Sequence, residues 1–138
     1  MRRLLANNGD NPCAKLFGGV KNAEKALKNV SVGKEMNPNI GAIAVDKAIV
    51  INPVGGFFDT SGSRTFQLGF NLRDKTAEYV VLGNVEAAAF ILAHEAGHVS
   101  GKLENDGNDP FGFKSILNNK RVQEACFSDT PSFTGPQR

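Results

Sequence analysis

The sequence predicts an α+β fold: a small, mostly antiparallel sheet packed on one central helix. Three observations point there. Apolar residues recur at helical spacing near the N-terminus, the middle of the chain breaks into short Ile- and Val-rich segments, and a long proline-free apolar stretch follows. At 138 residues there is room for a single domain, residues 1–138, and enough chain to bury a core.

Residues 12–17 read as a short helix, with Asn11 as N-cap, Pro12 at the first helical position and Gly18-Gly19 as the stop. Residues 21–30 form a second, because Ala23, Ala26, Leu27 and Val30 make an i, i+3, i+4, i+7 stripe. A loop over 33–39 leads to strand-like segments at 40–45 and 48–51, which Asn52-Pro53 ends. Residues 65–70 alternate, and 75–82 hold another β-type stretch around Tyr79-Val80-Val81. Gly83-Asn84 is a turn, with Asn84 the expected N-cap of the strongest helix, residues 85–100. That helix carries five alanines and is apolar nearly all round, so it belongs in the interior. An acidic, Gly-, Asn- and Pro-rich loop over 103–112 precedes a last helix at 114–127, with Leu117, Val122, Ala125 and Cys126 facing inward. Residues 1–10 and 128–138 are expected to be loose.

Sixteen Lys and Arg against fourteen Asp and Glu leave a net charge of +2, and the basic residues are scattered. Such a balance gives no electrostatic footprint for nucleic acid. The longest apolar run, residues 87–93, is far short of the roughly 20 residues that span a bilayer. No nucleic-acid or membrane partner is expected. Met1-Arg2-Arg3-Leu4-Leu5 opens like a signal peptide, but Asn7-Asn8-Gly9-Asp10 cuts off any apolar stretch. The expectation is a cytosolic chain or a piece of a longer exported polypeptide. Cys13 and Cys126 leave open two small buried thiols or a bridge, worth roughly 4.7 kcal/mol across a loop of about 100 residues.

The chemistry concentrates at His94-Glu95-Ala96-Gly97-His98, which holds both histidines of the chain. Residues four apart share a helix face, so both imidazoles can converge on one Zn²⁺. Glu95 lies about 100° round the helix, off the ligand face but near enough to take a proton from a water on the metal. Two histidines and a glutamate on an apolar helix are costly without partners, and a metal removes that cost. A catalytic zinc takes three protein ligands and keeps one position open. No histidine remains for the third, so Glu104, Asp106, Asp109 and Glu124 compete. A donor aimed at the oxyanion would complete the site, and Tyr79 and Arg121 are the candidates. Asn118-Asn119 fits plain polar surface equally well, and Phe57-Phe58 fits core packing or the wall of a groove.

His94 to His98 is the signature of the zincin metallopeptidases, so the sheet-and-helix fold is expected to be zincin-like. His98-Val99-Ser100-Gly101 resembles the start of the extended metzincin motif, but no third histidine follows and both methionines, Met1 and Met36, precede it. A closer resemblance is to the small metallopeptidase-like domains at the C termini of bacterial RHS-repeat and polymorphic-toxin proteins. It is carried by Cys13-Ala14-Lys15-Leu16-Phe17-Gly18-Gly19, by residues 91–98, and by Asp106-Gly107, Asn118 or Asn119, Val122 and Ala125-Cys126-Phe127 at similar spacing. The resemblance implies Asp106 as third ligand with Glu104 the runner-up, a Cys13–Cys126 pairing, and a place at the end of an exported protein.

These readings converge on a zinc-dependent peptidase that hydrolyses a protein or peptide substrate, as a secreted toxin or effector domain. The alternatives are a zinc amidohydrolase acting on a small substrate, a non-catalytic zinc-stabilised binding module, and an interaction domain without metal.

Overall fold

The computed structural model describes residues 11–58, 62–106 and 112–137. Helix α1 (Pro12–Leu16) starts where Asn11 Oδ1 accepts the Ala14 amide at 2.7 Å, with Pro12 in the first turn. Helix α2 (Val20–Lys28) ends two residues sooner than its apolar stripe suggests, because Val30 begins strand β1 (Val30–Val32). Strands β2 (Ala42–Val45) and β3 (Ala48–Ile51) form a hairpin, and β1 joins β3 in parallel, giving the order β1-β3-β2.

A single turn of 3₁₀ helix (Gly56–Phe58) leads towards the second sheet. There β4 (Ser63–Asn71) pairs with β5 (Thr76–Gly83), with a bulge between Gln67 and Gly69. Helix α3 (Asn84–Val99) follows directly, then α4 (Phe113–Cys126) and β6 (Phe133–Pro136). The coarse expectation of an α+β domain therefore describes the molecule, but with two three-stranded sheets rather than one.

Three local expectations need correction. The tail is ordered where β6 adds to β5, because β5 offers a second edge and the Phe133 ring packs 5.6 Å from Tyr79. Asn84 is the first helical residue and not the cap. Gly83 takes the cap position, and the Asn84 side chain accepts the Gly62 amide instead. Leu117 is 59% exposed, because α4 is rotated to turn Asn118, Val122, Gln123 and Cys126 inward. The expected loose residues 1–10 lie outside the described residues.

Helix α3 is the centre of the core and packs against strands of both sheets, β2 and β3 as well as β4 and β5. Its Phe90 stacks on Phe66 at 4.3 Å and lies 5.4 Å from Phe127, joining α3 to the second sheet and to the end of α4. A disulfide between Cys13 and Cys126 ties α1 to the last residue of α4. Among the described residues, no helix is long and apolar enough to cross a membrane.

The Ile- and Val-rich hairpin owes its position to Asn52, which is fully buried. Its Nδ2 donates to the carbonyls of Asn37 (3.0 Å) and Ile40 (2.7 Å), and its Oδ1 accepts the amides of Met36 (3.1 Å) and Val54 (3.3 Å). A buried side-chain amide with four partners holds the 36–41 loop against the sheet. That loop forms one wall of the cavity described next.

Candidate metal centre

His94 and His98 lie one turn apart on α3, with ring centroids 4.8 Å apart. Both Nε2 atoms point at one carboxylate oxygen: Asp106 Oδ2 is 3.0 Å from His94 and 3.2 Å from His98. The three ligand atoms lie within 4.8 Å of one another. In a tetrahedral site with bonds of about 2.0–2.2 Å, ligand atoms stand roughly 3.3–3.6 Å apart. The donors are of a number and type that could hold a metal ion, and each Nε2 already lies close to that spacing from Asp106 Oδ2.

Asp106 reaches the helix because α3 ends sharply. Gly101 takes a positive φ of 74°, its amide donates to the His98 carbonyl, and the Lys102 amide donates to the Gly97 carbonyl, each at 3.0 Å. This is a Schellman stop, and it reverses the chain directly after the second histidine. Leu103 then folds onto the helix at Gly97, where an added Cβ would come within 2.5 Å of the Leu103 side chain. The small residue between Glu95 and His98 thus lets the returning loop lie against the helix and bring Asp106 back to the imidazoles.

A second layer comes from α4. Asn119 Oδ1 is 2.8 Å from His94 Nδ1, and Asn119 Nδ2 donates to the Gln67 carbonyl at 3.2 Å. With Oδ1 accepting, His94 carries a proton on Nδ1, and a metal would take Nε2 in place of the proton that faces Asp106 here. Asn118 Nδ2 donates to Asp106 Oδ1 and to the Glu104 carbonyl, both at 2.8 Å. Adjacent asparagines therefore each hold one ligand. This replaces the plain-surface reading of the pair, and only the rotation of α4 that buries Asn118 makes it visible.

Electrostatics follow from this packing. Burial opposes charge on His94, but Asp106, Glu95 and Asn119 outweigh it and raise the ring above the ordinary imidazole value. Burial pushes up Asp106, yet hydrogen bonds from both histidines and Asn118 hold its carboxyl far below the usual carboxylate range. Glu95 is raised, chiefly by burial, with Asp106 adding to the effect and both histidines and the Ala44 amide opposing it.

His94, Glu95, His98 and Asp106 line one open cavity of about 740 Å³. Residues 40–44, which include most of β2, line the same cavity. The Asn52 amide donates to the Gly41 carbonyl, so Gly41 and Asn52 form a hydrogen-bonded pair. Alternation then turns the backbone groups of Ala42 and Ala44 away from β3, towards the free edge. The Ala44 amide is the group that meets the Glu95 carboxylate.

The remaining candidates lie elsewhere. Glu104 is exposed and contributes only its carbonyl, to Asn118. Glu124 is on the exposed side of α4 beside Lys120. Asp109 lies outside the described residues. Tyr79 and Arg121 are not placed as oxyanion donors. The Tyr79 hydroxyl donates to the Pro136 carbonyl at 3.0 Å, Arg121 donates to the Lys102 carbonyl at 2.9 Å, and neither lines the cavity. β6 captured the first and the helix stop captured the second. Phe57 packs against the core, while Phe58 is half-exposed and lines a neighbouring depression. Comparison with protein-family models, curated proteins and solved structures found no match to this chain.

Proposed function

We propose that this chain is a zinc-dependent peptidase with a zincin-like pairing of helix and edge strand, of the kind placed at the C termini of RHS-repeat and polymorphic-toxin polypeptides. One observation carries the reading: two imidazoles and a carboxylate converge within tetrahedral reach in a cavity that also holds Glu95. Zinc held by His94, His98 and Asp106 would supply a Lewis acid that polarises a carbonyl and acidifies a water.

The chain's own groups account for the rest. Glu95, raised by burial and steadied by the Ala44 amide, accepts a proton from water and returns it to the leaving amine. Asn119 and Asn118 fix the orientation of His94 and Asp106, so the ligand atoms need little rearrangement. The Ala42 amide and the carbonyls of Ala42 and Ala44 face the open edge of β2, where an extended peptide can add as a strand. That edge favours a peptide over a small amide as substrate. The Cys13–Cys126 bond fits an oxidising compartment, and so an exported polypeptide.

Elemental analysis of the purified protein tests the metal. We expect about one zinc per chain, lost in His94→Ala and in His98→Ala. Glu95→Gln should keep zinc and lose turnover of a peptide mixture by roughly 100-fold or more. Zinc uptake without cleavage would leave a non-catalytic binding module. No uptake at neutral pH would remove the metal reading altogether.

A further inference from the structure

We propose that Arg64 forms a carboxylate-binding subsite beside the metal cavity, so that the chain selects peptides carrying an acidic group within a few residues of the scissile bond. The position along the substrate rests on the peptidase reading; the binding of a carboxylate does not.

Two depressions meet at Arg64. The metal cavity and a second hollow of about 520 Å³, walled by Pro53, Val54, Gly55 and Phe58, share Asn39 and Arg64. Among the described residues lining either, Arg64 is the one Lys or Arg. Three acids line the same cavity, yet each is engaged elsewhere or stands apart. Asp106 faces the histidines, Glu95 meets the Ala44 amide, and Asp46 lies in the β2–β3 turn. Among the described residues Arg64 makes an ion pair with none of them.

The guanidinium is also held in place. It occupies a notch at Gly56, where an added Cβ would fall 0.9 Å from Nη1. Its central carbon stands 5.6 Å from the centroid of Phe66, the ring that stacks on Phe90 one turn before His94. A half-buried arginine fixed by a ring and a backbone notch, with no carboxylate partner among the described residues, presents a planar fork of donors to whatever enters the cavity. Carboxylates match that fork in pairs of hydrogen bonds. Ile40, Val54 and Phe58, all partly exposed around it, add apolar surface for the stem of the side chain that bears the acid.

The carboxylate can come from an Asp or Glu side chain or from a peptide C-terminus, and binding separates the two. The probes are N-acetylated hexapeptides of one sequence with Glu, Gln or Lys at a single varied position, each made with an amidated and with a free C-terminus. They are titrated into Glu95→Gln protein supplied with zinc, which removes turnover from the measurement. At one position, Glu should bind at least tenfold tighter than Gln in the amidated series if the side chain is read. A gain confined to free C-termini assigns the subsite to the terminal carboxylate. Adding Arg64→Gln should bring the ratio close to one, and Arg64→Glu should reverse it in favour of Lys, which a folding defect would not do. Should Arg64→Glu melt early, Arg64→Lys serves, keeping charge without the fork and retaining only part of the preference. Equal binding of Glu, Gln and free C-termini, a preference that survives Arg64→Gln, or no peptide binding at all overturns the proposal. Acid-selective binding by a protein whose Glu95-intact form cleaves nothing would keep the subsite and retire the peptidase reading.

Discussion

Two polar clusters built on asparagine brace segments that line the same cavity, and they do different work. The Asn52 side chain directs all four of its hydrogen bonds at backbone groups of residues 36–40 and 54, fixing the path of a loop. Asn118 and Asn119 each divide theirs between a backbone carbonyl, of Glu104 or Gln67, and a titratable side chain, Asp106 or His94, orienting the candidate ligands of a metal. Every buried amide needs partners. The identity of the partner decides whether the residue serves stability or chemistry. Where it faces backbone, its loss is felt in folding; where it faces titratable side chains, its loss is felt in binding.

Cutting the Cys13–Cys126 tie should give the largest effect. It removes the covalent anchor of α4, which carries Asn118 and Asn119, and leaves the Asn52 brace untouched. Cys13→Ser with Cys126→Ser should lower unfolding free energy by about 2–5 kcal/mol in a denaturant titration. Asn52→Ala comes next. It leaves two carbonyls and two amides without their partner, and should cost about 3 kcal/mol, with zinc content in the folded fraction close to wild type. If Asn52→Ala instead abolished zinc binding, the division between the two clusters would fail.

Asn119→Ala should weaken zinc binding about 10- to 100-fold in a chelator competition, with a smaller loss of apo stability. Asn119→Asp keeps an acceptor oxygen on His94 Nδ1 and should recover part of the affinity. The smallest effect lies at a neighbouring ion pair on α4. Lys120 donates to Glu78 on β5 and holds its carboxyl below the ordinary carboxylate value. A lowered folded-state pKa means the contribution is complete above the unfolded value of about 4.3 and is lost as pH falls through the lowered one. Both groups are about a third exposed, so Glu78→Gln should cost less than about 1 kcal/mol at pH 7, and the cost should shrink as pH falls below the unfolded value.

The same contrast explains what was legible in the chain. Helix signals are local, so Asn11-Pro12 and the long stretch before Gly101 mark α1 and α3 within a residue or so. The brace at Asn52 reads only as a strand stop, because its partners lie at Asn37 and Ile40, 15 and 12 residues away. Tyr79 looks free to act until β6 arrives from 57 residues later to accept its hydroxyl. Strand β6 itself carries no strong signal, since a four-residue edge strand is made by the partner it finds.

By itself the sequence determined the α+β composition, the buried helix, and the i, i+4 spacing that puts two imidazoles on one face with Glu95 beside them. These follow from the helical period and from the cost of polar groups on an apolar helix. The tertiary structure decided which acid faces the histidines, how α4 is rotated, and where Arg64 sits in the cavity. Asp106 rather than Glu104 meets the imidazoles because the Schellman stop and the Leu103 contact set the phase of the returning loop. Arg64 stays without a carboxylate partner among the described residues because sheet packing seats it at Gly56. Such outcomes depend on distances between segments far apart in sequence, and no local pattern encodes them.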